Sequence, residues 1–365
     1  MSGATSGGLP RSLLGLPLWT RAVPVAGLAL AAAKLAHVDI AWLITAPVLV
    51  AAVLSAVHHA EVIAHRIGEP YGTLVLAIAV TTIEVALIVS LMIAGGPDAG
   101  ALARDTVFAA VIIIINGIIG LALLIAGARH FQPAFNLSGT NAALTVLTAL
   151  MVLTMILPNV TTTTPGPFYS DAQLTFVALI ALVLYFAFVF TQTVRHRDFF
   201  LYSGDESPHD KPTPTPTAIA ALGLLVAALI GVVMAGKALA PTISAAVAVA
   251  GAPQALVGVI IAAIVLMPEG LAAVRAARAN RLQDSLNLAL GSALASIGLT
   301  IPAVALVSLS QGFQLTLGLS PLDTELLILS LFLAVLSLQI GRTTVLNGVV
   351  HLTVFAVYLF TVINP

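Results

Sequence analysis

Two glutamates, Glu84 and Glu269, lie in the middle of long apolar stretches of the sequence, twelve residues after Gly72 and thirteen after Leu256. The other thirteen of the 15 acidic residues lie in loops or near the ends of such stretches. An acid at the centre of a membrane helix costs about 2.5–3.5 kcal/mol on insertion scales. A protonated glutamate bonded between helices would explain one of them, but a matched pair indicates that both bind a cation or protons.

The residues next to each acid offer further oxygen ligands. Thr81 precedes Glu84 by three residues and therefore shares its face of a helix. Pro268 directly precedes Glu269, and because proline has no N–H, the carbonyl of Ile264 loses its usual helical partner. That carbonyl is a candidate backbone ligand, as in the broken helices of transporters. A simple packing kink is the alternative explanation of the proline.

The stretches that follow the two acids carry amide and hydroxyl groups. Asn116 offers an amide oxygen, and Ser292, Ser296 and Thr300 are spaced four residues apart, so that their hydroxyls form one stripe. Each alternatively supplies an interhelical hydrogen bond. An all-oxygen site suits a hard cation such as Ca²⁺. The predicted cation- and proton-binding residues are Glu84, Glu269, Asn116, Ser296, Ser292 and Thr81, with Glu84 and Glu269 as the metal ligands.

Other polar residues have simpler explanations. Asp105 and Asp284 open predicted helices, where N-capping is expected, and His351 is alone in the last apolar stretch, which is typical of a structural histidine. The cluster of His58, His59, Glu61 and His65 suggests either a metal or proton-entry site or ordinary interfacial residues. The chain has no cysteine, which excludes thiolate metal sites and cysteine nucleophiles, and it has no P-loop. Without a P-loop, an ion gradient is the expected energy source, and we predict a secondary transporter rather than an enzyme, without a cofactor.

Composition places these residues in a membrane protein. The chain is 59% hydrophobic and 8% charged, whereas soluble domains carry about 25% charged residues, so its main surroundings must be lipid. A span needs about 20 apolar residues to cross about 30 Å of hydrocarbon. Division of the sequence at polar, Pro and Gly residues predicts an all-α polytopic protein with eleven spans at residues 22–36, 40–64, 72–94, 105–127, 141–158, 172–194, 217–236, 254–275, 284–310, 324–340 and 344–363.

The positive residues predict the orientation of these spans. With the N-terminus in the cytoplasm, eleven of the 14 lysines and arginines fall in cytoplasmic segments and three outside, in agreement with the positive-inside rule. A formal net charge of −1 gives no reason to expect a nucleic-acid partner. The oligomeric state is left open by the sequence.

A hydrophilic segment divides the chain into two similar halves. Five spans lie on each side of it, beyond the first span, and because five is odd the halves must enter the membrane in opposite orientations, as in many transporters built from inverted repeats. Each half has a mid-span glutamate followed by a short turn, an aspartate and a span with small and polar residues. The predicted parts are a disordered tail (1–21), an extra N-terminal helix (22–36), a first five-helix repeat (37–195), a cytoplasmic linker (196–216) and a second five-helix repeat (217–365).

Two segments carry a resemblance to a known family. They are GEPYGTLVLAIAVTTIEVALIVSLM, from Gly68 to Met92, and LMPEGLAAVRAARANRLQDSLNLALGSALASIGLTIP, from Leu266 to Pro302. They resemble the two α-repeats of the cation/calcium exchanger superfamily, and more closely the bacterial calcium/proton antiporters of the ChaA type. The resemblance implies that Glu84 and Glu269 are shared calcium and proton sites and that the protein lies in the bacterial inner membrane.

The resemblance predicts exchange of Ca²⁺ for H⁺ by alternating access. The sequence departs from the family in one respect, because exchangers often carry Gly-Asn ahead of the acid, where this chain has Thr82-Ile83 and Met267-Pro268. One side-chain amide per repeat is therefore missing, which leaves exchange of Na⁺ or K⁺ for H⁺ as the alternative. An intramembrane hydrolase and a passive channel are the other functional classes considered. A hydrolase is disfavoured because no His or Cys lies near the acids in the sequence. A channel is disfavoured because its acids would be expected to repeat around an oligomeric pore.

Overall fold

The computed structural model describes residues 15–38, 40–68, 71–200 and 213–364. Within them lie eleven helices long and apolar enough to cross a membrane, which confirms the predicted all-α polytopic fold. Only residues 15–21 of the predicted N-terminal tail are described, and residues 201–212 of the predicted linker lie outside the described part.

The helices are numbered in chain order, and several contain a short π-helical turn. Their bounds are α1 Leu18–Leu35, α2 Trp42–Ile67, α3 Tyr71–Gly95, α4 Leu102–His130, α5 Leu137–Val160, α6 Asp171–Arg195, α7 Thr215–Val249, α8 Ala255–Arg278, α9 Leu282–Gln311, α10 Pro321–Leu338 and α11 Val345–Ile363.

Most predicted spans agree with these helices to within a few residues, and α7 differs most. It runs 35 residues, or about 50 Å at 1.5 Å per residue, which exceeds the roughly 30 Å of hydrocarbon in a bilayer. The predicted span ends at residue 236, before the charge of Lys237, but the helix continues through Pro241 to Val249. A charge disfavours lipid without breaking the backbone hydrogen bonds of a helix, so the helix outlasts the apolar span.

Several helices begin at recognisable caps. Ser170 starts α6 with a capping box, in which its side chain and that of Gln173 bond to each other's backbone N–H. Asn136 caps α5 by accepting from the N–H groups of Ser138 and Gly139, and Ser320 caps α10 by accepting from the N–H of Asp323. These caps satisfy amide groups that a helix start leaves unpaired.

One compact unit, residues 1–76 and 209–235, contains α1 and α2. Pro24 interrupts α1, and because it has no N–H, the carbonyl of Thr20 is free to bond elsewhere. That carbonyl accepts from Ser55 Oγ at 3.0 Å and from His59 Nε2 at 2.7 Å, both on α2. The proline thus creates the acceptor that joins the extra N-terminal helix to its neighbour.

The second compact unit, residues 77–208 and 236–365, contains both glutamates and shows the relation between the two halves. Helix α4, the third of the first half, packs against α11, the fifth of the second half, and α9 packs against α6 in the reciprocal way. This reciprocal packing is what two inverted five-helix repeats require.

The loops of this unit also join the first half of the chain to the second. An isolated β-bridge joins Ala134, between α4 and α5, to Arg342, between α10 and α11, and a second joins Phe168, between α5 and α6, to Thr316, between α9 and α10. Next to the second bridge, Tyr169 donates its hydroxyl to the carbonyl of Leu153 at 2.5 Å. Burial raises the pKa of Tyr169 to about 12, so the phenol remains a donor at neutral pH.

Candidate cation-binding site

Glu84 on α3 and Glu269 on α8 both lie inside the second unit, and each is only 5% exposed. Ser296 of α9 donates to the Glu84 carboxylate, and α9 packs against α8, which carries Glu269. The structure therefore brings together the helices of the two acids that the sequence places in different halves of the chain.

Glu84 has a hydroxyl partner on the other half. Its Oε1 accepts a short hydrogen bond from Ser296 Oγ of α9, and Ser296 is completely buried. Hydrogen bonds to a carboxylate are shorter and stronger than neutral ones, so this contact fixes one oxygen of Glu84. The interaction connects the acid of the first repeat with the hydroxyl stripe of the second.

Glu269 has a different environment. Neither of its carboxylate oxygens has a hydrogen-bond partner among the described residues, although Ser292 of α9 lies beside the carboxylate. A buried, unpaired carboxylate is strongly disfavoured, and it becomes acceptable only when a proton or a cation neutralises it. These two oxygens are the group in the site with the most unused capacity for a positive ligand.

Helix α9 thus places two hydroxyls near the acids, one helical turn apart. Ser296 bonds to Glu84, and Ser292 lies beside Glu269. Thr300, the third member of the predicted stripe, is completely buried and its hydroxyl has no partner among the described residues. The stripe is therefore buried at Ser296 and Thr300 and half-buried at Ser292.

We expect Ser296→Ala to weaken the apparent affinity for the transported cation about tenfold, because removal of the group that orients a metal-binding side chain typically has an effect of 10–100-fold. The measurement is the cation concentration that gives half-maximal proton flux in proteoliposomes. Ser310→Ala, an exposed serine of the same helix, is the matched control. An unchanged half-maximal concentration in Ser296→Ala would show that Glu84 does not need this hydroxyl.

Pro268 and Thr81 lie on the helices that carry Glu269 and Glu84. Pro268 lies inside α8, so the carbonyl of Ile264 lacks the N–H that a regular helix would supply four residues later. On α3, Thr81 is 3% exposed and donates to the carbonyl of Ala77 at 2.9 Å. The Thr81 oxygen keeps its acceptor capacity, because it uses its only proton in that bond.

Asn116 has its hydrogen-bond partners away from the acids. It lies in the π-helical turn Ile113–Ile118 of α4, where its Nδ2 donates to Ser330 Oγ at 2.7 Å and its Oδ1 lies 3.1 Å from His351 Nδ1. The turn itself packs against α8, and Ile118 faces Gly270, the residue after Glu269. Asn116 is therefore on a segment that contacts the Glu269 helix, with its amide bonded to α10 and α11.

The remaining candidates have structural roles. The N-cap positions of α4 and α9 are Ala101 and Arg281, so the expectation that Asp105 and Asp284 cap these helices is wrong. Both lie in the first turn, where a negative charge interacts favourably with the helix dipole. Asp105 pairs with Arg104 at 2.7 Å, and Asp284 pairs with Arg281 at 3.6 Å.

The histidines near one end of α2 do not assemble a metal site. In the described part of the chain, no group of three or more His, Asp or Glu side chains is arranged to hold a metal ion. His59 instead bonds to the backbone of Thr20, and His58 lies against Trp19 with ring centroids 5.9 Å apart. This part of the cluster joins α2 to α1.

Sequence reasoning did not find the polar partners of Asn116. Ser330, His351 and Ser337 form a buried chain of hydrogen bonds with it, although His351 was expected only to be a satisfied histidine. The available signal was that an amide and a histidine, both costly in lipid, occur in two otherwise apolar spans.

Comparison with known proteins gives three findings of similarity. The sequence matches the family described as sodium/calcium exchanger protein over residues 40–194 and 220–364. It is 47% identical over 350 residues to y4hA of Sinorhizobium fredii, named only as an ionic transporter, with 94% of this chain and 95% of that protein covered. It is 36% identical over 320 residues to the sodium-potassium/proton antiporter ChaA of Escherichia coli, with 86% of each chain covered.

The fold is similar to that of a solved exchanger. The crystal structure of the H⁺/Ca²⁺ exchanger CAX superposes with a TM-score of 0.71, covering 93% of this chain and 87% of that one at 16% identity. At this identity the likeness concerns the fold alone.

Proposed function

Because the chain belongs to the sodium/calcium exchanger protein family, we propose that it is a secondary active antiporter that exchanges Ca²⁺ for H⁺ across the membrane. The observation that carries the proposal is the pair of buried acids: Glu84 accepts from Ser296, and neither oxygen of Glu269 has a partner in the part of the chain that the structure describes. Two ionised carboxylates balance one divalent cation, and two protons balance them when the cation leaves. The two carboxylates cannot bind the cation and the two protons at the same time, and this competition is the physical basis of antiport.

In the proposed site, Glu84 and Glu269 bind the cation or protons. Ser292, Ser296 and Thr81 add hydroxyl oxygens, Asn116 adds an amide oxygen, and the Ile264 carbonyl exposed by Pro268 adds a backbone ligand. This set fits the flexible shell of six to eight oxygens that Ca²⁺ takes. Alternating access follows from movement of one repeat against the other around the site.

Exchange of Na⁺ or K⁺ for H⁺ is the second candidate, and two observations favour it. The chain lacks the side-chain amides that exchangers often carry ahead of each acid, where it has Thr82-Ile83 and Met267-Pro268. Its relative with 36% identity is named as a sodium-potassium/proton antiporter. Fewer oxygen ligands reduce the advantage of a cation that needs six to eight.

The orientation and location belong to the same proposal. Eleven of the 14 lysines and arginines fall on the side of the N-terminus when eleven spans are counted, and positive residues favour the cytoplasm. We therefore place the N-terminus in the cytoplasm of a bacterial cell and the protein in its inner membrane.

The test is proton movement in proteoliposomes with an acidic interior, loaded with a pH-sensitive dye. Ca²⁺, Na⁺ or K⁺ is added outside as the chloride at matched ionic strength, with the membrane potential clamped. Calcium/proton exchange predicts that Ca²⁺ alone dissipates the pH gradient. Dissipation by Na⁺ or K⁺, with Ca²⁺ acting only as an inhibitor, would favour the second candidate, and no effect of any cation would refute both.

A passive channel is distinguished by a second arm of the same experiment. With the cation at equal concentration on both sides, an imposed pH gradient should drive net cation uptake or efflux against the developing cation gradient. An antiporter must show this uphill movement, because its two fluxes are coupled through one site. A channel would leave the cation concentrations equal.

A further inference from the structure

A chain of four polar side chains connects α4, α10 and α11. Asn116, Ser330 and His351 are completely buried, and Ser337 is half-buried. The distances are 2.7 Å from Asn116 Nδ2 to Ser330 Oγ, 3.1 Å from Asn116 Oδ1 to His351 Nδ1 and 2.9 Å from His351 Nε2 to Ser337 Oγ. A buried network with every member satisfied specifies one arrangement of its side chains.

The proton positions in this network follow from its first member. Ser330 donates its only hydroxyl proton to the carbonyl of Leu326 at 2.6 Å, so its oxygen can only accept from Asn116, and the amide nitrogen must face Ser330. The amide oxygen then faces His351, whose Nδ1 must carry a proton. The Ser337 hydroxyl has two acceptors within reach, His351 Nε2 at 2.9 Å and the Ala334 carbonyl at 3.2 Å. In neutral His351, Nε2 carries no proton and can only accept, so the hydroxyl donates to it over the shorter distance.

The network includes a residue of the segment that contacts the Glu269 helix. Its central residue, Asn116, belongs to the π-helical turn Ile113–Ile118, which packs on α8 and also on α10 and α11. Helix α11 approaches α4 closely at His351, since a Cβ placed on Gly120 of α4 would lie 2.8 Å from the His351 Cβ. Turns of this kind often occur at functional sites.

We infer that His351 is a positioning residue for the cation site, and that its Nδ1–H fixes which end of the Asn116 amide is the oxygen. The inference rests on the proposed function, in which Asn116 lines the cation pathway. An amide oxygen has two lone pairs, so the one not used by His351 remains for a cation. An amide turned over would present N–H groups, which repel a cation. His351 itself does not touch the ion.

The test uses the two amide side chains as mimics of the two imidazole nitrogens. In His351→Asn the side-chain amide lies near the position of Nδ1 and keeps the donor, whereas in His351→Gln it lies near Nε2 and the donor to Asn116 is lost. We expect His351→Gln to raise the apparent KM for the cation about tenfold or more with a smaller change in maximal flux. We expect His351→Asn to remain within about threefold of the parent protein.

His59→Gln is the matched control, because His59 is also completely buried but bonds through Nε2, to the carbonyl of Thr20. A glutamine keeps that bond, so its KM should equal that of the parent. Equal KM values for His351→Gln and His351→Asn would overturn the inference. The inference would also be overturned if His351→Gln lowered the amount of folded protein but left the apparent KM unchanged.

A double substitution checks that His351 acts through Asn116. Asn116→Ala combined with His351→Gln should be no worse than Asn116→Ala alone, whereas multiplied effects would overturn the positioning role. Cation binding is also measured directly, as the rise in melting temperature of the purified protein with added Ca²⁺, Na⁺ or K⁺. If the parent moves no protons, the proposed function has failed, and the same ranking of variants in binding still decides the inference.

Discussion

Glu269→Gln will abolish cation-driven proton flux in proteoliposomes while the protein remains at least as stable as the parent. A residue that merely orients a metal ligand typically contributes 10–100-fold to affinity, so loss of the ligand itself should reduce flux by more than about 100-fold. Stability should not fall, because the Glu269 carboxyl, whose two oxygens have no partner among the described residues, must take up a proton when no cation is bound, and glutamine is neutral without one. The measurements are flux at the cation concentration that is half-maximal for the parent protein and the melting temperature in detergent without added cation.

Glu84→Gln should lose flux to the same extent but without a gain in stability. The oxygen of a glutamine side chain can still accept from Ser296, which is the contact that the carboxylate makes now, and the bond becomes weaker because the acceptor is neutral. The matched control is Glu325→Gln, an exposed acid on α10, which should behave as the parent. Full transport by either buried variant would contradict the site, and loss of folded protein in both would make the acids structural instead.

The cation dependence should itself change with pH. A proton and a cation compete for the same carboxylates, so the cation concentration for half-maximal flux must rise as the pH falls. In the two glutamine variants any residual flux should lose this dependence in part, since one of the two competing groups is gone. Half-maximal concentrations measured at several pH values on both sides of the bilayer test this competition.

The two acids could be found from the sequence because a carboxylate in the centre of an apolar span has few explanations. Their approach to each other depends on the fold, since Glu84 and Glu269 lie in different halves of the chain. The prediction that the halves are inverted was sufficient to expect them as a pair. It gave no means of deciding that Ser296 of α9 bonds to Glu84, whereas Glu269 has no hydrogen-bond partner among the described residues.

The role of Asn116 shows where a single sequence stops being informative. Its partners Ser330 and His351 are 214 and 235 residues away, and no spacing rule relates side chains at such separation. The π-helical turn at Ile113–Ile118 adds a second difficulty, because it changes the direction of the side chains relative to a helix of 3.6 residues per turn. A helical wheel therefore misplaces the amide.

The equivalent positions of the two repeats also differ in a way that the resemblance between them conceals. In α9 the stripe of Ser292 and Ser296 faces the acids, whereas in α4 the amide of Asn116 bonds to α10 and α11. An inverted repeat predicts similar backbones in both halves. The side chains that line the site need not be symmetric, because each half presents a different residue to the same centre.

Gly348→Ala should destabilise the protein by about 1–3 kcal/mol, the usual effect of forcing extra volume into a packed interior. A Cβ at Gly348 of α11 would lie 2.3 Å from the backbone nitrogen of Leu124 on α4. Gly127 of α4 has the reciprocal contact, because a Cβ there would lie 2.6 Å from the nitrogen of Val345. The two helices therefore touch backbone to backbone, as small residues allow in membranes, and a single methyl group must separate them.

The measurement is the melting temperature of purified protein, with Gly223→Ala as the control. Gly223 lies on α7, and no described residue outside its own stretch of helix comes within 4 Å of its would-be Cβ, so alanine there should be neutral or stabilising by up to about 1 kcal/mol through helix propensity. Equal melting temperatures for Gly348→Ala and the parent would show that α4 and α11 tolerate a wider spacing.

The same variant links packing to transport. The contact at Gly348 holds together the two helices that carry Asn116 and His351, whose side chains meet at 3.1 Å. If the methyl group separates α4 from α11 in a protein that still folds, this hydrogen bond lengthens and the amide loses its orientation. Gly348→Ala should then raise the apparent KM for the cation as His351→Gln does. A destabilised variant with the KM of the parent would separate the two effects and assign the close packing to stability alone.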